Sequence, residues 1–462
     1  MTEQSIGLTA ALGAFASRQD RFPAEALRTA ASGISDAIGV LLAGRHDNAV
    51  RILDKVLSVD AQASQGEATV LFGARKMRSF DAAFVNAAAA HALAMDDVAA
   101  GCHPSAMLMP ALLAEGEALG SSGSEVLHAY VVGYEVLAEL ASREQDALHS
   151  AGWHPSCVLG PPAVAAAVAR LRKLDASRST AAIAAAASMT GGLVANFGTQ
   201  TKAMQVARAS SAGVLAARLA AEGMTASGDA LERNPGLLKA ISPRREVRLE
   251  GGLGFGPDSL RILSQGLSIK KYPVCYSTHR VVDAASGIAA QQGFSPELVE
   301  SISVDIGATQ AWMARHHQVR TPFEAKYSVE FAAAAGLVAR DASFQQLEDR
   351  FIRHELVQRL IGSTSLHLSE ERSTEDPVFS PADRVRVRLK DGRTFDSGEV
   401  PYASGHAFAP LSVHARRQKF LQCAESGGFR QAEELFGLLE GLEKLPDVRA
   451  IASVSVEAER VS

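Results

Sequence analysis

The sequence predicts a mostly α-helical protein, an all-helical domain formed by N- and C-terminal parts and interrupted by a smaller α+β segment. Three observations carry this. Alanine is abundant while aromatic residues are only 6% of the 462, a balance that favours closely packed helices over a β-sandwich. Residues 1 to about 265 run as one helical pattern after another. Strand-period alternation appears only at 302–306 and 384–389.

Taken in order, the clearest early helix starts at Ser122 with Glu125, spaced as a capping box, and continues through Val126, Leu127, Tyr130, Val131 and Tyr134 at helical spacing. Another begins at Asp175 as N-cap, runs through the alanines of 181–187 and stops before Gly191 and Gly192. The uncharged stretch Ser179 to Thr201 is long enough to span a bilayer, but its Ala, Ser, Thr, Gly and Asn are too weakly apolar. A buried helix followed by a loop is expected there. Near residue 266 the pattern changes. Ile302, Val304 and Ile306 alternate with Ser303 and Asp305, and Leu366 and Leu368 hint at a second strand. Val385, Val387 and Leu389 alternate with Arg384, Arg386 and Arg388, and Asp391-Gly392 follows as a two-residue hairpin turn. The stretch 362–383 otherwise reads as a mobile loop, and helix returns from Ser412 into the 440s. The expected division is a helical domain over 1–265 and 401–462 with an α+β domain over 266–400.

Composition excludes several function classes. The net charge is -5 and no basic stripe stands out, so no nucleic-acid partner is expected. Cys102, Cys157, Cys275 and Cys423 are far apart with no C-x-x-C pair, which argues against a zinc ribbon or an iron–sulfur cluster and fits a reducing compartment. An acid at Glu3 and no basic n-region argue against a signal peptide. A cytoplasmic protein without membrane association is expected.

Four places join titratable side chains to turn residues: Met95-Asp96-Asp97 with Cys102-His103-Pro104-Ser105; Gly152-Trp153-His154-Pro155-Ser156; Asn196 to Lys202 with Arg208 about two turns on; and Lys270 to Cys275 with Thr278-His279. Imidazoles suit general acid–base work near neutral pH, and lysine and arginine neutralise carboxylates. In both His-Pro-Ser triplets the proline holds the preceding histidine in extended backbone, which suits presentation from a loop. Singly, each histidine is more often structural, and Asp96 and Asp97 fit the cap of a helix end equally well. Lys202 lacks the spacing of a phosphate-binding loop. His46, His149, His316, His317, His354 and His414 have no supporting context and read as surface.

As an ordered set these segments resemble the MmgE/PrpD family: NAAAAHALAMDD (86–97), HPSA (103–106), GWHPS (152–156), NFGTQTKAMQVARAS (196–210), KKYPVCYSTHRVVDAA (270–285), KYSVEFAAAAGLVA (326–339), LKDGRTF (389–395) and ASGHAFAPLS (403–412). The resemblance implies a helical domain with a smaller α+β lid, a homodimer, an active site in the cleft between domains, and chemistry on a small polycarboxylate with no cofactor and no metal. It implies His103, His154, Lys202 and His279 as catalytic residues, with Asp97, Gln200, Arg208 and Lys271 as substrate-binding candidates. A carbon-acid step next to a carboxylate is the common chemistry. A hydro-lyase is the first expectation; an epimerase or a decarboxylase, or a non-catalytic carboxylate-binding dimer, are the alternatives.

The chain departs from the family pattern. The typical H-x-x-D-[FM]-D-D-T has Ala94 for its first acid and Val98 for its threonine, and the P-L-H-x-G after the lysine reads Ala203, Met204, Gln205, Val206, Ala207. These positions are close to substrate in the family, which makes 2-methylcitrate and cis-aconitate poorer fits as the substrate.

Overall fold

The computed structural model describes residues 6–58, 66–73, 75–144, 148–242, 247–256, 259–374 and 379–460. It divides into two compact units, 1–267 with 414–462, and 268–413.

The first unit is helical. In order its helices are α1 (Leu8–Ser17), α2 (Ala24–Gly44), α3 (Asn48–Leu57), α4 (Ser79–Ala92), α5 (Pro104–Leu119), α6 (Gly123–Arg143), α7 (Pro155–Leu171), α8 (Ala176–Ala187) and α9 (Thr201–Ala221), with short turns α10 (Leu237–Ile241) and α11 (Arg261–Ser264). A two-stranded ribbon, β1 (Ala68–Thr69) with β2 (Lys76–Met77), sits between α3 and α4. The expected capping box of α6 is present, as is the Asp175 cap of α8. The central layer is α7, every residue of which is buried, packed against α6, α8 and α9. Small residues make this possible. A Cβ at Gly213 on α9 would lie 2.5 Å from the Val164 side chain and 2.8 Å from the Ala165 nitrogen on α7, so the two backbones approach only because that atom is absent. Helix α2 alone among the described residues is long and apolar enough to cross a membrane; most of its apolar surface is buried in this core.

The second unit begins with α12 (His279–Ala289), continues through β3 (Val299–Gly307), α13 (Ala308–Met313), α14 (Pro322–Lys326), α15 (Val329–Ala339), α16 (Asp349–Ile352) and α17 (Glu355–Gly362), and adds β4 (Thr364–Ser369), β5 (Arg384–Leu389) and β6 (Thr394–Asp396). The sheet order is β4-β3-β5-β6, with β3 parallel to β4 and antiparallel to β5. Val385, Val387 and Leu389 face the core with α12 and α15, as the alternation predicts. The arginines between them form cross-strand ion pairs: Arg386 with Asp305, Arg388 with Glu300, Arg384 with Asp396.

Three expectations shift. The β5–β6 connection is a three-residue loop, not a two-residue turn, because the Leu389 amide bonds to the Arg393 carbonyl and Gly392 takes φ +86°. The stretch 362–383 contains strand β4, though Leu368 is 58% exposed and not core; residues 375–378 lie outside the described ones. Residues 401–413 belong to the second unit: the Ile269 amide donates to the Gly405 carbonyl at 2.7 Å and the Ser404 amide to Asp283 at 2.6 Å. The chain then re-enters the helical unit as α18 (Val413–Ser426), α19 (Ala432–Glu440) and α20 (Arg449–Arg460).

One polar group is deep in the helical core. Glu115 of α5 is fully buried and accepts from Arg172, from Arg218 at 3.0 Å and from Ser79 at 2.8 Å. Arg218 also binds Glu67 and holds that carboxyl below its usual range, against a smaller opposing effect of burial. Replacing Glu115 with alanine strands the Arg172 guanidinium and leaves Arg218 with Glu67 alone, and is expected to cost about 3–5 kcal/mol in a urea unfolding experiment. Removing Glu300 from its exposed pair is expected to cost under about 1 kcal/mol. A depressed folded-state pKa stabilises above the unfolded value and fades as pH falls through the folded one. The stability difference between wild type and Glu67→Gln should therefore shrink as pH drops below the normal glutamate range.

Candidate active site

Helix α4 ends at Ala92, and its last turn carries His91, fully buried. The chain then folds back over residues 93–103. Ala99 and Cys102 pair across a tight turn whose central residues, Ala100 and Gly101, both take positive φ (50° and 67°), as a primed turn requires. This delivers His103 to the start of α5, where Pro104 sits at the first helical position with no amide to leave unsatisfied. The second His-Pro-Ser triplet does the same: His154 precedes Pro155 at the start of α7. The two triplets are joined, because the His103 amide donates to the Ser156 hydroxyl at 3.0 Å.

Asp96 organises the cluster. It is fully buried, and its Oδ2 lies 2.8 Å from His91 Nδ1 and 3.1 Å from His103 Nδ1. His103 Nδ1 also faces the Asp97 carbonyl at 2.9 Å. An ionised carboxylate and a carbonyl can only accept, so both rings carry their proton on Nδ1 and a lone pair on Nε2. Burial pushes the Asp96 carboxyl up, but the two imidazoles overcome this and hold it well below the ordinary range. His91 is pushed down to about 3, by burial first and by the nearby Lys202 charge, with Asp96 opposing. His154 is pushed down strongly for the same first reason, then by the neighbouring imidazoles and Lys202. Both rings are therefore neutral at pH 7.

His154 differs in its tautomer. Its Nδ1 lies 3.1 Å from Cys157 Sγ. Burial pushes the Cys157 thiol up, so it stays protonated, and a thiol donating to Nδ1 leaves the proton of His154 on Nε2. The three rings stand close: centroids are 4.7 Å apart for His91–His103, 5.9 Å for His91–His154 and 6.3 Å for His103–His154. One donor nitrogen from each lies within 4.8 Å of the others.

Residues 191–202 form the other wall. The His154 amide donates to the Gly192 carbonyl and the Val194 amide to the Gly152 carbonyl. Phe197 sets its ring edge-on to His154 at 4.9 Å, and Lys202, in the first turn of α9, places Nζ 5.2 Å from the centre of that ring.

The structure thus brings together His103, His154 and Lys202, and adds His91 and Asp96, which lie in the first motif but were given no catalytic or binding role from the sequence. The signal was present: His91 precedes Asp96 by five residues, enough to return from a helix end. Several candidates fall elsewhere. Asp97 is fully buried, with its carboxylate bound to the amide of Ser105 at 3.1 Å and to its hydroxyl; Tyr130 completes this group at 2.5 Å. It anchors the start of α5, and the charges of Asp36 and Asp96 add to burial in raising its carboxyl to about 7. Gln200, just before α9, and Arg208 on it are exposed. Gln205 is buried and turned to the Leu193 carbonyl at 3.3 Å. His279 and Lys271 belong to the second unit. His279 is fully buried, with Tyr272 and Tyr276 edge-on at 5.2 and 5.1 Å and Nε2 3.3 Å from the Val274 carbonyl. Lys271 lies over Tyr272 and 3.9 Å from Asp283. Of the histidines expected on the surface, His149 is exposed and also borders the site, edge-on to Phe197 at 6.0 Å. In a cavity of about 400 Å³ elsewhere in the helical unit, lined by Gln19, Arg21, His128, Arg170 and Lys173, Lys173 pairs with Glu125 and Arg170 donates to the Asp20 carbonyl.

Comparison with known proteins agrees with this architecture. Cis-aconitate decarboxylase of Mus musculus is 27% identical over 459 residues, covering 93% of this chain and 90% of the relative. The Homo sapiens protein of the same name is 28% identical, covering 81% and 78%, and that of Aspergillus terreus 27%, covering 97% of each. The MmgE/PrpD N-terminal domain matches residues 13–250 and the MmgE/PrpD C-terminal domain residues 272–440. With both domains matched over most of its length, the chain belongs to the MmgE/PrpD family.

Proposed function

We propose that this protein is a lyase acting on a small di- or tricarboxylate by moving a proton at a carbon next to a carboxylate, with decarboxylation as its first candidate reaction. The observation that carries the reading is the buried Asp96 shared by two imidazoles, with a third ring and an ammonium group beside them. The full-length relatives named as cis-aconitate decarboxylases support the choice of reaction class.

In this reading the substrate carboxylate leaves as carbon dioxide, and the electrons of the broken carbon–carbon bond pass into the neighbouring unsaturated carboxylate system. His103, protonated on Nε2 from solvent and held as the imidazolium by Asp96 behind its Nδ1, delivers that proton to the carbon that gains it and returns to the neutral ring, while neutral His154 hydrogen-bonds the substrate. Lys202 offsets the negative charge that accumulates on the substrate oxygens. Dehydration is the second reading. A ring with a proton on Nε2 facing rings with a lone pair there is an acid–base pair, which removal of hydrogen and hydroxide needs and simple loss of carbon dioxide does not.

The test is proton NMR of the purified protein in D₂O with cis-aconitate, 2-methylcitrate, citrate, citramalate, malate and iminodisuccinate. A product carrying one solvent deuterium beside a carboxylate is expected from at least one of them. Folded protein that gives neither product nor exchange with the whole panel would sink the reading. With a substrate in hand, His103→Ala and Lys202→Ala should each lower kcat/KM by about 10²–10⁴-fold. Asp96→Asn, which keeps the shape and removes the negative charge that stabilises the imidazolium, should lower kcat by a similar ~10²–10⁴-fold with little change in KM. Retention of full turnover in any of the three would remove that residue from the mechanism.

A further inference from the structure

The same cluster has the composition of a metal site. Each of the three rings has its Nδ1 engaged by a neighbour: His91 by Asp96, His103 by Asp96 and the Asp97 carbonyl, His154 by Cys157. A carboxylate or carbonyl behind Nδ1 is the usual outer partner of a metal-bound imidazole, fixing the ring and leaving Nε2 as ligand. The Nε2 of His91 is fully buried and has no hydrogen-bond partner among the described residues, and the same holds for Oδ1 of Asp96. A buried lone pair with nothing to accept from costs free energy that a ligand would recover.

We propose that His91, His103 and His154 form a three-imidazole site for a divalent transition-metal ion of the Zn²⁺ class, with Asp96 as the shared outer-sphere carboxylate. Metal–nitrogen bonds of about 2.1 Å in tetrahedral geometry place the donors roughly 3.4 Å apart. One ring nitrogen from each residue lies within 4.8 Å of the others, so the rings are near enough for rotations that turn the three Nε2 atoms together to close the site. Three imidazoles with an open fourth position suit zinc, copper or nickel rather than magnesium or calcium. Binding at His154 moves its proton from Nε2 to Nδ1, where the sulfur of Cys157 becomes the acceptor. Lys202 opposes the ion's charge and Asp96 favours it. The ion would occupy the lone pairs that the lyase reading assigns to proton transfer, so it acts on that reading as a blocker and not as a cofactor.

The experiment uses the full-length protein stripped with a chelator and titrated with Co²⁺, followed by its visible absorption, with Zn²⁺ added as competitor. One ion per chain with the intense bands of a four- or five-coordinate site is expected. His91→Ala and His154→Ala should each weaken binding at least 10-fold, and Asp96→Asn about 10–100-fold, since it keeps the ligands and loses their orientation. A parallel ¹⁵N spectrum of histidine side chains in the wild type, with and without Zn²⁺, reads the same site without relying on variants that fold. Three Nε2 signals should shift together. Folded wild type that takes up no ion, or binding that is unchanged in both histidine variants with no such shift, overturns the site. Absent turnover by the metal-free protein would count against the lyase reading alone.

Discussion

The candidate site rests on one buried anion. Asp96 has no exposure, yet it stays ionised because two imidazole Nδ1–H groups converge on the same oxygen. A carboxylate left alone there would protonate to escape the cost of desolvation. The arrangement therefore fixes three things at once: the charge of Asp96, the tautomers of His91 and His103, and the direction in which their lone pairs face. The neutral state of His91 and His154 follows from the same dryness. Nothing here requires a long-range field; it requires that water be kept out by α4, α5 and α7.

That exclusion comes from small residues. The helices that deliver the histidines are rich in alanine, and α7 has no exposed face at all. Its two ends do different work. The N-terminal end presents His154, whose amide is held by the Gly192 carbonyl, and the proline that follows leaves no amide to satisfy at the first helical position. The rest of the helix is the wall against which α9 lies, close enough that Gly213 has no room for a side chain. Lys202 is on the first turn of that same α9, so the packing that makes the core also sets how far an ammonium group stands from the imidazoles.

Much of this was legible in the residues. Caps at Ser122 and Asp175, the alternation of valine and arginine over 384–389 and the two His-Pro-Ser triplets each predict a local structure from local chemistry, and each is found. The arginines on β5 were readable as outward-facing, though their partners Asp305 and Glu300 are some eighty residues away and were not. His91 was harder. It lies inside an alanine run that reads as ordinary core helix, and only the fold-back of residues 93–103 turns it toward Asp96. Asp97 was misjudged in the opposite direction: beside a catalytic motif it looked like a substrate contact, but its partners Ser105 and Tyr130 hold it within the core. The extent of the second unit was misplaced by about a dozen residues because 401–413 has no periodic pattern; backbone bonds to Ile269 and Asp283 decide where it belongs.

Lys419 gives the architecture a temporal side. This lysine of α18 is buried, with Nζ 2.5 Å from Asp36 and 3.1 Å from the Met95 carbonyl, and Cys423 one turn on touches the Met95 sulfur. The loop that carries Asp96 is thus pinned by a residue 324 positions later in the chain. During synthesis every histidine of the cluster leaves the ribosome well before Lys419 does, and the whole second unit emerges in between. The newborn helical unit lacks this brace on the site until Lys419 has been made, so the order of translation leaves the loop that carries Asp96 unpinned until the second unit has emerged.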